Sequence, residues 1–114
     1  MNIEQTAIKY LEEKLDVPVF ADVPKKRPDE FVTVERAGGS LANVVIDHAS
    51  IVIQSWAKTR HDASELAISV DLAMHCFVDE KGVSNVERNA GPYNFPDPDN
   101  TQARYQSLYE IIFL

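Results

Sequence analysis

The sequence lacks most of what single-chain chemistry is built from. It has one cysteine, Cys76, in 114 residues, so an intrachain disulfide is excluded and a reducing, cytosolic folding environment is expected. Cys76 stands close to Met74 and Phe77 in an apolar stretch, which predicts a buried, reduced thiol. Cationic residues are scarce: eleven Lys and Arg face eighteen Asp and Glu, for a net charge of −7. Gripping nucleic acid depends on clustered Lys and Arg, so that task is disfavoured. The only basic run, Lys25-Lys26-Arg27, lies between Pro24 and Pro28 and reads as a solvated turn rather than a phosphate clamp. No apolar run approaches the roughly 20 residues of a membrane-spanning helix, so no membrane partner is expected. Glu4, Glu12 and Glu13 near the start do not suit an ordinary signal peptide. Glycine is limited to four residues, and Gly38-Gly39-Ser40 has neither GxGxxG nor GKS spacing. No phosphate-cradling loop and no GxSxG nucleophile elbow follow from it.

What is present is a chain with 45% hydrophobic residues, too apolar for disorder. Its length fits one domain over 1–114 and burial of roughly two-thirds of the unfolded surface. It is too short for a TIM barrel or a full dinucleotide-binding enzyme. Residues 2–15 predict an amphipathic helix, because Ile3, Ala7, Ile8, Leu11 and Leu15 recur at spacings of three and four. Pro18 stops it. Val17–Val23, bounded by Pro18 and Pro24, predicts a short edge strand. Phe31–Arg36 alternates as a strand, and Gly38-Gly39-Ser40 is expected to end it. Val44–Ile46 and Ile51–Trp56 bracket Asp47-His48 and read as one long bent strand or two short ones. The unbroken Ile51-Val52-Ile53 predicts a central strand covered on both faces.

Thr59 to about Val78 is the strongest helical pattern, with Ala63, Leu66, Ala67, Val70, Ala73, Met74 and Phe77 on one stripe. Thr59 with Asp62 resembles a capping box. Gly82 terminates the region, and Val83–Arg88 predicts a weak strand. Residues 89–102 hold three prolines and three asparagines, which predicts irregular structure. Arg104–Phe113 closes the chain as a strand with Tyr105, Ser107, Tyr109, Ile111 and Phe113 on one face. The expected class is α+β: one mixed, mainly antiparallel sheet of four to five strands packed with two helices.

Catalytic constellations are hard to find. His61 and His75 lie fourteen residues apart on one helix, about 21 Å, too far to share a metal. His75-Cys76 has no CxxC or HxxxH to complete a zinc site. Asp97-Pro98-Asp99-Asn100 opens like a calcium loop, but position six is Gln102 and position twelve Leu108. Asp47, His48 and a serine at position 50 form a triad in composition only, since sequence neighbours rarely converge. A hydrolase using Asp47, His48 or His61 is therefore disfavoured, and no cofactor, metal or enzymatic activity is expected.

Two features stand above this background. Trp56 closes a strand just before a helix, as buried core or as an anchor at a subunit contact. Gly91-Pro92-Tyr93-Asn94-Phe95-Pro96-Asp97 places two aromatics in a long connection, either folded back on its own core or reaching another subunit. The candidate interface residues are thus Trp56, Pro92, Tyr93, Asn94, Phe95, Pro96 and Asp97.

Several pieces, in order, carry a resemblance. They are Val17-Pro18-Val19 through Val23-Pro24, then PDEFVTVERAGG (28–39), IQSWAKT (53–59) with Ala63-x-x-Leu66-Ala67, and GPYNFPD (91–97) followed by Arg104-Tyr105-Gln106. Together the chain resembles the tail-terminator, or tail-completion, proteins of long-tailed bacteriophages, especially small versions from phages of actinobacterial-type hosts. The resemblance implies a small α+β subunit forming a ring, typically a hexamer. Such a ring caps the tail tube, ends its polymerisation and offers a docking face for the head–tail connector protein. The implied location is the head-proximal end of the virion tail, with the host cytoplasm during assembly. Partners would be further copies of the chain, the tail tube protein and the connector. DNA would pass through without specific binding, a task the acidic balance suits. A head–tail connector or neck protein, and a small acidic binding or inhibitor module, are the alternatives.

Overall fold

The computed structural model describes residues 1–41 and 46–114. Val44 and Val45, the start of the expected Val44–Ile46 strand segment, lie outside the described residues. The elements are α1 (Ile3–Lys14), β1 (Val19–Phe20), β2 (Phe31–Leu41), β3 (Asp47–Ala57) and α2 (Arg60–His75), a 3-10 turn (Phe77–Asp79), then β4 (Val83–Asn94) and β5 (Ala103–Phe113). The class is α+β. Among the described residues five strands form one sheet in the order β1-β2-β3-β5-β4. Only β1–β2 is parallel; the other three pairings are antiparallel. No helix among the described residues is long and apolar enough to cross a membrane.

Both helices start where their side chains can satisfy orphan amides. The Asn2 carboxamide oxygen accepts from the Gln5 amide at 3.1 Å, and the Thr59 hydroxyl accepts from the Asp62 amide at 3.1 Å. α1 packs over β1 and β2, and α2 over β3, β5 and β4. The core lies between these helices and one sheet face. Ile3, Ala7 and Leu11 of α1, Val32 and Val34 of β2, Val70 and Met74 of α2, and Ile51, Ile53 and Ile111 of the central strands belong to one buried cluster. The Tyr10 hydroxyl donates to the Ala73 carbonyl at 2.6 Å and ties the two helices together. Burial raises the Tyr10 pKa, reinforced by Cys76, Glu80 and Asp79 nearby.

The structure corrects five local expectations. β2 runs on through Gly38 and Gly39 instead of ending there, with a register shift between Arg36 and Gly38. Gly39 has φ +143°, and a Cβ there would strike the His48 carbonyl and Ala49 backbone of β3. β3 is central, but only one of its faces is covered by helices: Ile51 and Ile53 are buried while Val52 is half-buried. α2 stops at His75, and the 3-10 turn takes the chain through Val78. Cys76 is exposed, because Met74 and Phe77 take the inward positions at this helix end.

The fifth correction concerns residues 89–102, which are regular as far as Asn94. β4 absorbs Asn89 to Pro92 through register shifts between Arg88 and Ala90 and between Ala90 and Tyr93. β4 is an edge strand, where bulges and a proline's missing donor are tolerated. The Gly91–Pro92 peptide is cis.

Candidate interaction surface

The sheet face turned away from the helices carries Trp56 and Tyr93 of the candidate residues, together with their cross-strand partners. Pairing sets them in rows. Phe31 lies opposite Trp56, and Trp56 opposite Arg104; Thr33 lies opposite Gln54, Gln54 opposite Gln106, and Gln106 opposite Tyr93. The period of two along each strand sends all of these to one face.

Hydrogen bonds connect them across four strands in a single direction. The Trp56 indole N–H donates to the Thr33 hydroxyl at 3.3 Å, and that hydroxyl donates to the Gln54 carbonyl oxygen at 3.5 Å. The Gln54 amide donates to Gln106 at 2.8 Å, and the Gln106 amide donates to the Tyr93 hydroxyl at 2.7 Å. Each amide uses one end as donor and the other as acceptor, so the ladder fixes both glutamine orientations. The Tyr93 hydroxyl proton remains for an acceptor outside the ladder.

A second, aromatic layer lies beside it. Trp56 stacks on Phe31 with centroids 5.3 Å apart and planes 8° from parallel, and Phe20 meets Phe31 edge-on at 6.0 Å. The guanidinium of Arg104 lies 4.9 Å from the Trp56 ring and 4.7 Å from the Phe95 ring. Its Nε donates to the Phe95 carbonyl at 2.7 Å and its Nη2 to the Pro96 carbonyl at 3.4 Å. Arg27, from the proline-bounded basic run, places its guanidinium 5.0 Å from the same indole.

Of the two readings open for Trp56, packing within the chain is the one observed: it is 1% exposed. Its indole presents no free surface to a second subunit. Pro92 is half-buried, Asn94 and Pro96 are exposed, and Asp97 is half-buried and accepts from the Asp99 amide at 3.0 Å. Of five Phe, four Tyr and one Trp, only Tyr93 and Phe95 are exposed, at 37% and 40%. They contact each other edge-on at 6.1 Å. Arg104 clamps the backbone after Phe95, so these rings are held out on an ordered hairpin end.

The sequence-derived chemical candidates do not come together as a relay. Asp47 pairs with Arg36 at 3.2 Å. His48 and Ser50 both turn to Glu110, at 2.7 and 2.8 Å. The serine proton is thereby directed at a carboxylate and not at an imidazole nitrogen. His61 and His75 sit at opposite ends of α2. Among the described residues no three His, Cys, Asp or Glu side chains converge as a metal site would require.

One buried group went unnoticed in the sequence. Asp71 is 9% exposed and accepts from the Tyr109 hydroxyl at 2.7 Å and from Arg88 at 2.8 Å, with His75 3.6 Å away. Burial, and then the bond to Asp71, push the Tyr109 pKa strongly up. The available signal was position: Asp71 follows Ala67 by four on the buried stripe of α2. The chain matches no protein-family model and no curated protein sequence.

Proposed function

We propose that the protein is a structural ring subunit at the head-proximal end of a long phage tail. In this reading it caps the tail tube, ends its polymerisation and offers the face to which the head–tail connector joins. It works by packing and not by catalysis. The observation that carries the reading, beside the ordered motifs of the resemblance, is the exposed Tyr93–Phe95 pair on an otherwise well-buried aromatic inventory. Exposed aromatics held in place, Phe95 by Arg104 and Tyr93 by Gln106, are the composition of an interface hot spot. A ring also needs two different patches per subunit, joined head to tail. The hairpin end and the helix layer are two such patches on different elements.

Electron microscopy of the purified protein tests the ring directly: rings with a central hole are expected, near six subunits. Deleting the gene should give tails of abnormal length that do not join heads; normal tails would refute the reading. Tails of correct length with defective heads would assign the protein to the neck instead. The double substitution Tyr93→Ala/Phe95→Ala should weaken assembly at least tenfold while shifting the thermal midpoint of the unassembled chain by only a few degrees. Equal loss of both would assign the pair to the chain's own core.

A further inference from the structure

We propose that the groove between α1 and α2 receives the Val23–Lys26 loop of a second copy of this chain. The groove has two halves that share Lys14, Leu15 and Ser69, so they run into one another. One half, about 300 Å³, is lined by the carboxylates Asp16, Glu30, Asp62 and Glu65. The other, about 360 Å³, is apolar, formed by Tyr10, Leu72 and Ala73 with Cys76 at its end. Leu72 is 65% exposed. Lys14 leans over the Tyr10 ring, 5.6 Å from its centroid. Among the described residues no ion pair engages any of the four groove carboxylates.

The occupant follows from what the same chain displays. On a protein of net charge −7, two copies repel unless a local patch of opposite charge is presented. The one basic run is that patch. Lys25 and Lys26 are exposed and make no ion pair among the described residues, and Val23 beside them is 39% exposed. Arg27 is committed to Trp56 and so roots the loop on the sheet. The loop thus reads apolar then basic, and the groove reads apolar then acidic. The lengths agree: Leu72 to Asp62 spans about 15 Å of helix, and Val23 to Lys26 about 10 Å of extended chain before the lysine side chains are added. Loop and groove are different surfaces, so the contact is head-to-tail and can close into a ring. The proposal rests on the ring reading only in taking a second copy as the occupant.

Complementary charge reversal in the full chain tests it. Lys25→Glu/Lys26→Glu and Asp16→Lys/Glu65→Lys change exposed side chains on either partner surface. Light scattering should show salt-sensitive self-association of the unsubstituted chain and at least tenfold weaker association of each variant alone. An equimolar mixture of the two variants should recover assembly, because each loop then meets a groove of opposite sign. Cys76 supplies a second readout: its reaction with a thiol reagent should slow at least tenfold at assembling concentration. Variants that assemble unchanged, or a mixture that fails to recover, would overturn the loop–groove contact. So would an unsubstituted chain that stays monomeric with Cys76 unprotected. A groove that takes polylysine but not a second copy would likewise overturn it, assigning the groove to a foreign basic segment. Rings that persist in both variants remove this contact and leave the ring reading standing. Closed dimers joined through loop and groove keep the contact and remove the ring.

Discussion

Asp71 joins α2 to the β4–β5 hairpin, and its replacement by alanine removes three partners at once. The largest consequence falls on Tyr109, which is 2% exposed and donates to Asp71 at 2.7 Å. A hydroxyl left without an acceptor at that depth costs about 1–3 kcal/mol. Arg88 and His75 are 46% and 64% exposed at the side chain, so solvent screens them. Each adds at most about 1 kcal/mol. Relieving a carboxylate of burial offsets part of the loss. Asp71→Ala should therefore destabilise by about 2–3 kcal/mol, lowering the urea midpoint by roughly 1–2 M at the slope usual for small domains. Tyr109→Phe alone should cost about 1–2 kcal/mol, since Asp71 keeps Arg88. The double variant is the informative one. Once Asp71 is gone, the Tyr109 hydroxyl is a liability, so removing it should cost little or restore stability. A coupling energy of about 1–2 kcal/mol is expected from urea denaturation of the four chains at pH 7. Additive losses, within about 0.5 kcal/mol, would refute the claim that the two groups satisfy one another.

Three further outcomes follow from the same structure. Tyr109 and Tyr10 both hold their protons more tightly folded than unfolded. Their contribution is complete below the ordinary tyrosine pKa, near 10, and is lost as pH rises above it. The tyrosine contribution should thus hold up to about pH 9 and then fall, and Tyr109→Phe should shrink that fall; an unchanged alkaline limb would refute this. Trp56→Ala should cost about 3–5 kcal/mol in denaturant melts, as expected for a fully packed indole; a loss under about 1 kcal/mol would place Trp56 outside the core. Gly91 has φ +85°, and a Cβ there would strike the Gln106 carbonyl and the Ser107 backbone. Gly91→Ala should therefore lower the melting temperature by several degrees, while Gly38→Ala, with open space around it, should cost far less.

The helices were legible because their signals are local. The 3.6-residue stripe and the Thr59 cap need no distant partner to be recognised. The alternation in Phe31–Arg36 and in β5 was legible for the same reason. The continuation of β2 through Gly38-Gly39 and of β4 through Asn94 was not. Glycine and proline read locally as breakers, but both strands have β3 or β5 alongside, and bulges accommodate the irregular residues. Cys76 shows the same limit: an apolar neighbourhood in sequence places it near the core, but the phase at the end of α2 turns it outward.

Composition and spacing by themselves determined an acidic α+β chain with a predicted Trp56 at a strand end and an aromatic pair at 93 and 95. These properties depend on residue type and short-range period, which a linear chain already contains. Only the tertiary structure decided where the cross-strand partners fall. In the Trp56–Thr33–Gln54–Gln106–Tyr93 ladder the most distant bonded pair, Gln54–Gln106, is 52 positions apart, and the Asp71–Tyr109 bond spans 38. Antiparallel register brings the ladder pairs within hydrogen-bonding distance, and the packing of α2 on β5 does so for Asp71 and Tyr109. The groove between α1 and α2 likewise arises from how two helices lie on one sheet, and each helix alone carries only one of its walls.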